Sequence, residues 1–161
     1  MQGNIRRARP ADVPFLVELS EQKRLEYEQY QPVFWRRAED ARERQEPFFE
    51  SQVKSERVIA MVHEHRGVVD GFVIGVLVTA PPVYAPGGYI CSIDDYMVAD
   101  PDDWETIGAV LLKEVCREAR RRGAVLVNVV SGHEDGTKRA MLAEAGFTIA
   151  SEWHVKPIAE D

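Results

Sequence analysis

Residues 58–98 hold three apolar runs whose links are too short to carry a helix, and this excludes most ways of folding the chain. Val58-Ile59-Ala60-Met61-Val62 is the first run, turned back at Gly67; residues 71–78 are the second. The third, 89–98, follows a loop containing Pro81, Pro82, Pro86, Gly87 and Gly88. Parallel neighbours need a crossover of about a dozen residues or more, so these runs are predicted to form an antiparallel meander. From Pro101 the pattern becomes βα. Trp104, Ile107, Val110, Leu111, Val115 and Ala119 share one side of a helix ending in Arg120-Arg121-Arg122-Gly123, cations and a glycine that suit a helix C-terminus. Residues 124–130, the most apolar strand, are expected to be buried on both faces. A helix over about 136–145 stops at Gly146, and 147–155 is expected to close the sheet as a last strand.

Ahead of the meander, Ile5-Arg6-Arg7-Ala8 reads as a short strand stopped by Pro10. Asp12 is placed to cap a helix in which Val13, Leu16, Val17 and Leu19 fall at helical spacing. The charged stretch 21–52, with Tyr27, Tyr30, Phe34, Trp35, Phe48 and Phe49, reads as one or two amphipathic helices broken near Pro32 and again near Pro47. With no repeat or flexible linker, residues 1–161 are expected to form one domain. Its expected class is α+β, a mixed, mostly antiparallel sheet flanked by helices.

Charge narrows the function. The 27 acidic and 20 basic side chains leave a net charge of −7, which argues against a general nucleic-acid binder and allows cationic partners such as amines. Apolar residues make up 45% and charged residues 29%, a globular composition. No stretch reaches the roughly 20 apolar residues of a membrane span, and Met1-Gln2-Gly3-Asn4 lacks the apolar core of a secretory signal, so the cytoplasm is expected. Cys91 and Cys116 show no metal or redox spacing and read as reduced thiols. His63 and His65 share a strand face but make half a metal site at best, so no metal is expected.

This order of elements resembles the GNAT superfamily of acyl-CoA-dependent N-acetyltransferases, from residue 5 to about 157. Residues 5–12 look like that family's first strand and capped helix, and Ile93-Asp94-Asp95-Tyr96-Met97-Val98 looks like its fourth strand. Gly108-Ala109-Val110-Leu111-Leu112 looks like the start of its coenzyme helix, and Ala145-Gly146-Phe147 like its late helix junction. Val98 and Gly108 keep the family's separation. The family's pyrophosphate loop, R/Q-x-x-G-x-G/A, reads here Asp103-Trp104-Glu105-Thr106-Ile107-Gly108, with an acid for the leading cation and Thr106 for the first glycine. Asp135 stands where the family often has Asn, and Leu142 where it often has a Tyr that protonates the leaving thiolate.

The resemblance implies acetyl-CoA as co-substrate, an amine acceptor, and direct attack in a ternary complex. It places the coenzyme on the backbone of Met97 and Val98, on Asp103, Trp104, Glu105, Thr106, Ile107, Gly108 and Ala109, and on Asp135. Acyl transfer needs a base, an oxyanion donor and a proton for the thiolate. Asp94 and Asp95 are the base candidates. Strand alternation sets Asp94 on the face of Ser92, Tyr96 and Val98 and favours it. Tyr96, Tyr84, Ser131 or water is left to supply the acid. Tyr27, Tyr30, Phe34, Trp35 and the 81–88 loop with Tyr84 are the candidate acceptor wall, suited to a primary amine. Arg117, Arg120, Arg121 and Arg122 read either as a solvated helix end or as partners of the coenzyme's 3′-phosphate. The resemblance also allows a homodimer. The competing readings are an acyl-CoA-binding sensor or interaction module without turnover, and a fold relative that no longer binds coenzyme.

Overall fold

The computed structural model describes residues 3–159. Five strands form one sheet in the order β1 (Asn4–Arg7), β2 (Val58–His65), β3 (Val68–Val78), β4 (Tyr89–Val98), β5 (Ala124–Val129). β1 to β4 pair antiparallel, whereas β4 pairs with β5 in parallel. The parallel step carries a helix, α3 (Ala109–Arg121), as such a connection requires. The class is α+β, with the meander and the βα unit where the sequence puts them.

Helices cover both faces of the sheet. On one, α1 (Val13–Tyr30) and α2 (Ala41–Lys54) bring Leu16, Val17, Phe49 and Val53 against Val62, Phe72 and Ile74. On the other, α3 and α4 (Gly136–Glu144) bring Leu111, Val115, Met141 and Leu142 against Val73, Ile93, Tyr96 and Val98. Each such side chain stabilises the fold by about 1.5–3 kcal/mol through burial. Charge joins β1 to the start of α1. Arg6 donates to both oxygens of Asp12 at 2.7 and 2.8 Å, and to Glu64 at 2.7 Å. Burial pushes the Asp12 carboxyl up, but the Arg6 guanidinium and the Arg9 N–H outweigh it and hold the group below the usual range.

That arrangement changes the part expected of Asp12. Its carboxylate makes no cap bond to α1 and accepts the Arg9 N–H instead, at 2.7 Å. Pro47 does not break a helix either, since it lies inside α2. The carbonyl that loses its donor there belongs to Glu43, an exposed residue. The expected helix from Trp104 becomes regular only at Ala109, after a 3-10 turn over Pro101–Asp103 and a π turn over Trp104–Gly108.

The end of the chain departs furthest. The described part of 147–155 contains no strand, although Phe147, Ile149, Trp153 and Val155 alternate as a strand would. A strand needs a ladder and a face to bury. Here Phe147 packs into the core, while Trp153 is 78% exposed and stacks edge-on against Phe34 at 5.7 Å. With nothing paired beyond it, β5 is the edge of the sheet rather than a strand buried on both faces. Val125 and Leu126 are accordingly 55% and 48% exposed.

Candidate active site

The site begins where β4 leaves its neighbours' register. Gly75 pairs with Ile93 and Val73 pairs with Tyr96, so Ile74 stands opposite both Asp94 and Asp95. This is a β-bulge with its surplus residue on β4, and it shifts the alternation of that strand. Cys91, Ile93, Tyr96 and Val98 therefore face α3 and α4, while Met97 faces α1 and α2. The expected grouping of Asp94 with Tyr96 and Val98 on one face is thereby overturned.

Past the bulge, β4 and β5 separate. Their pairing ends at Ile93 with Val129, followed by the Val130 N–H to Ile93 carbonyl bond at 2.9 Å. Beyond that point the edge of β4 has no paired strand beside it, and the gap between the parted strands is bridged by the side chain of Lys138. Ala99 N–H bonds Asp70 on the β3 side at 2.8 Å, so Met97, two residues earlier, points its backbone groups to β3 as well. Val98 N–H and the Tyr96 carbonyl point the other way, into the gap. Of the two expected backbone donors, Val98 is the one in position.

The floor of the gap is aromatic and carries one charge. Tyr96 is fully buried, donates its hydroxyl to the Gly108 carbonyl at 2.5 Å, and meets Trp104 edge-on at 4.8 Å. Burial drives the Tyr96 hydroxyl far above its ordinary pKa. Its proton is thus committed to a carbonyl, which argues against the acid role considered for it. Lys138 of α4 reaches in from beyond, its Nζ 3.0 Å from the Val130 carbonyl and 3.4 Å from that of Tyr96. The same Nζ lies 5.1 Å from the ring centres of Tyr96 and Trp104. No sequence motif pointed to this lysine. Its signal was a cation sharing a helix face with Met141 and Leu142, three and four residues on.

The pyrophosphate-loop residues divide into two sets. Trp104, Ile107 and Ala109 pack inward, and Gly108 is required by Trp104, whose ring would lie 2.6 Å from a Cβ there. Asp103 holds the Thr106 hydroxyl at 3.3 Å, and Glu105 and Thr106 are exposed. Trp104 N–H returns to Pro101; the π turn beyond it opens with further amides that have no partner within it, a donor set that fits an anion. Asp100 caps the start by accepting the Asp102 N–H at 3.0 Å. Three of the four cations named at the far end of α3 pair with acids: Arg117 with Glu114 at 2.6 Å, and Arg121 and Arg122 with Glu118 at 2.7 and 2.6 Å.

An acidic and aromatic wall faces the gap from α1. Lys23 donates to the Asp94 carbonyl at 3.0 Å and stands 5.4 Å over the Tyr27 ring. Asp94 is exposed and Asp95 half-buried; burial first, and then the charge of Asp94, raise the Asp95 carboxyl above its usual range against the pull of Lys23. Tyr27 is buried, its ring 5.4 Å from those of Tyr30 and Trp35, and its hydroxyl accepts the Gly132 N–H at 2.9 Å. No sequence signal marks Gly132, yet a Cβ there would collide with the Tyr30 oxygen. Burial, then Asp135, Glu134 and Glu26, raise the Tyr30 hydroxyl to about 12. Asp135 precedes α4 and makes no cap bond. Tyr84 stands apart: it is 71% exposed, its N–H closing a turn onto Pro81, and no ring pair among the described residues includes it. His63 is held by Asp70 at 2.5 Å, and no cluster of three or more metal-ligating side chains exists among the described residues.

No protein-family description matches the sequence, and no curated protein does. Solved structures do match. A mutant of the BH1408 protein from Bacillus halodurans superimposes with a TM-score of 0.81 at 16% identity, over 97% of this chain and 99% of that one. A predicted acetyltransferase from Clostridium acetobutylicum, solved with acetyl-CoA, gives 0.75 at 16% identity, over 97% and 96%. The ribosomal-protein-alanine N-acetyltransferase from Brucella melitensis biovar Abortus 2308 gives 0.64 at 16% identity, over 99% and 100%. The fold of this chain is that of the GNAT acetyltransferases. At these identities the likeness is one of fold.

Proposed function

We propose that the protein is an N-acetyltransferase that moves an acetyl group from acetyl-CoA to a primary amine of a small molecule or protein, by direct attack in a ternary complex. One observation carries the reading: β4 and β5 part beside the start of α3, and the Val98 N–H is turned into the gap they leave. In that place the amide meets the thioester oxygen and stabilises the charge that grows on it. The π-turn amides take the pyrophosphate, with Asp103, Glu105 and Thr106 at the rim, and Asp135 borders the pantetheine end. The acid-rich, aromatic wall of Tyr27, Tyr30 and Trp35 draws in an ammonium. Asp95 takes its proton, directly or through water, and Asp94 tunes it. Residue Tyr96 serves as the floor, and Tyr84 belongs to a loop that meets a larger acceptor. The reaction needs no metal and suits the cytoplasm. Two copies, as the resemblance allows, would meet along the bare edge of β5.

A second reading, an acyl-CoA-binding module without turnover, draws on the acids Asp102, Asp103 and Glu105 around the phosphate end. The test takes two stages. Acetyl-CoA should raise the melting temperature, because a ligand of the native state stabilises it. No shift at millimolar coenzyme overturns both readings. Given a shift, thiol release across a panel of amines establishes the enzyme, and silence across the panel favours the binding module.

A further inference from the structure

Lys138 is the only lysine or arginine buried among the described residues. Enclosing an ammonium is expensive, and among the described residues no carboxylate forms an ion pair with it. An apolar side chain of the same length would fill the space under Tyr96 and Trp104 at less cost, so packing does not account for the charge. Its position does. The Nζ spans the parted strands, bonded to the Val130 carbonyl on one side and the Tyr96 carbonyl on the other. The Tyr96 carbonyl and the Val98 N–H are neighbours on the same open edge of β4. A thioester whose oxygen rests on Val98 therefore has its sulfur in the gap that the amine enters.

We propose that Lys138 delivers the proton required by the departing coenzyme thiolate; this rests on the acyl-transfer reading above. In balanced form, the amine lone pair forms the N–C bond and the carbonyl pair moves to oxygen. When the carbonyl reforms, the C–S bond breaks and its electrons go to sulfur. The thiolate takes one proton from the Lys138 ammonium; Asp95 takes one proton from the acceptor ammonium before attack, passes it to solvent, and then takes the nitrogen's surplus proton, and Lys138 regains a proton from solvent when the coenzyme leaves. An ammonium carries three protons, and the two carbonyls hold two of them, which leaves one for the sulfur. The two tyrosines considered for this role are worse placed: the Tyr96 hydroxyl is bonded to Gly108, and Tyr84 is out in solvent. Acidity agrees with the geometry. Burial first, and Lys23 of α1 second, lower the Lys138 amine to about 7, against the opposing charges of Asp135 ahead of α4 and of Asp94 and Asp95 on β4. Such an amine hands a proton downhill to a thiolate whose acid has a pKa of about 8.5.

The test is Lys138→Met, which keeps the stem and removes the proton. Turnover should fall roughly ten- to a thousandfold with KM for acetyl-CoA little changed. A second readout is the pH profile of turnover. In the wild type, turnover should fall as the pH rises and the Lys138 ammonium is lost, and Lys138→Met should lack that descending limb. Unchanged turnover together with an unchanged profile overturns the proposal. Should Lys138→Met fail to fold, the wild-type profile decides alone, and turnover that does not fall as the pH rises above about 7 overturns it. If acetyl-CoA does not stabilise the wild-type protein, the acyl-transfer reading falls and this one with it. Stabilisation with a silent Lys138→Met removes only this one.

Discussion

At the scale of single residues, the β4 acids show how one backbone irregularity redistributes roles. Regular alternation favours Asp94; the bulge leaves Asp94 in solvent and sets Asp95 in a half-buried place facing Lys23. Asp95→Asn should therefore lower turnover roughly ten- to a thousandfold while the acetyl-CoA melting shift persists, and Asp94→Asn should cost less. The reverse order would return the base to Asp94. The pH profile carries a sign as well. A base must be ionised to act, and burial raises the Asp95 carboxyl, so turnover should climb with pH through a midpoint above the ordinary carboxylate value. Asp94→Asn removes a neighbouring negative charge and should move that midpoint down. The residue types of the site were legible in the sequence. Their facing was not, because one extra residue in a strand leaves no trace in composition or period.

Elements tell a similar story. The meander, the βα unit and the halt at Gly146 were all readable, since each rests on local periodicity or a breaker residue. The bare edge of β5 was not, because an apolar run looks alike whether or not neighbours cover it. Leu126→Lys tests what that edge does. On an exposed edge position the change should shift stability by no more than about 0.5 kcal/mol in a monomer. If two copies pair there, light scattering should show the mass halve on substitution; an unaltered mass in a dimeric wild type would place the contact elsewhere. Lys138 escaped notice for the complementary reason. On a periodic helix face a lysine reads as a long side chain reaching solvent, and only the tertiary packing of α4 against the turns over 101–108, beside Tyr96, encloses it.

For the whole molecule, the charge of −7 has a local meaning. Asp100, Asp102, Asp103 and Glu105 surround the helix start where a polyanionic coenzyme would dock, so binding there relies on backbone amides against an opposing field. Raising the salt from about 0.05 to 0.5 M should then tighten acetyl-CoA binding, by roughly two- to fivefold, where a site built on cations would weaken. Calorimetry across that range reads the sign. The bulge at Asp94 and Asp95 and the π turn over Trp104–Gly108 also share a description. Each is a regular element carrying one residue too many, and the two flank the same gap. Each extra residue re-aims the side chains that follow it. Deleting one residue from either would restore a regular strand or helix and rotate every side chain beyond the cut. A relative with the shortened segment should keep the fold and lose the meeting of Tyr96, Trp104 and Lys138.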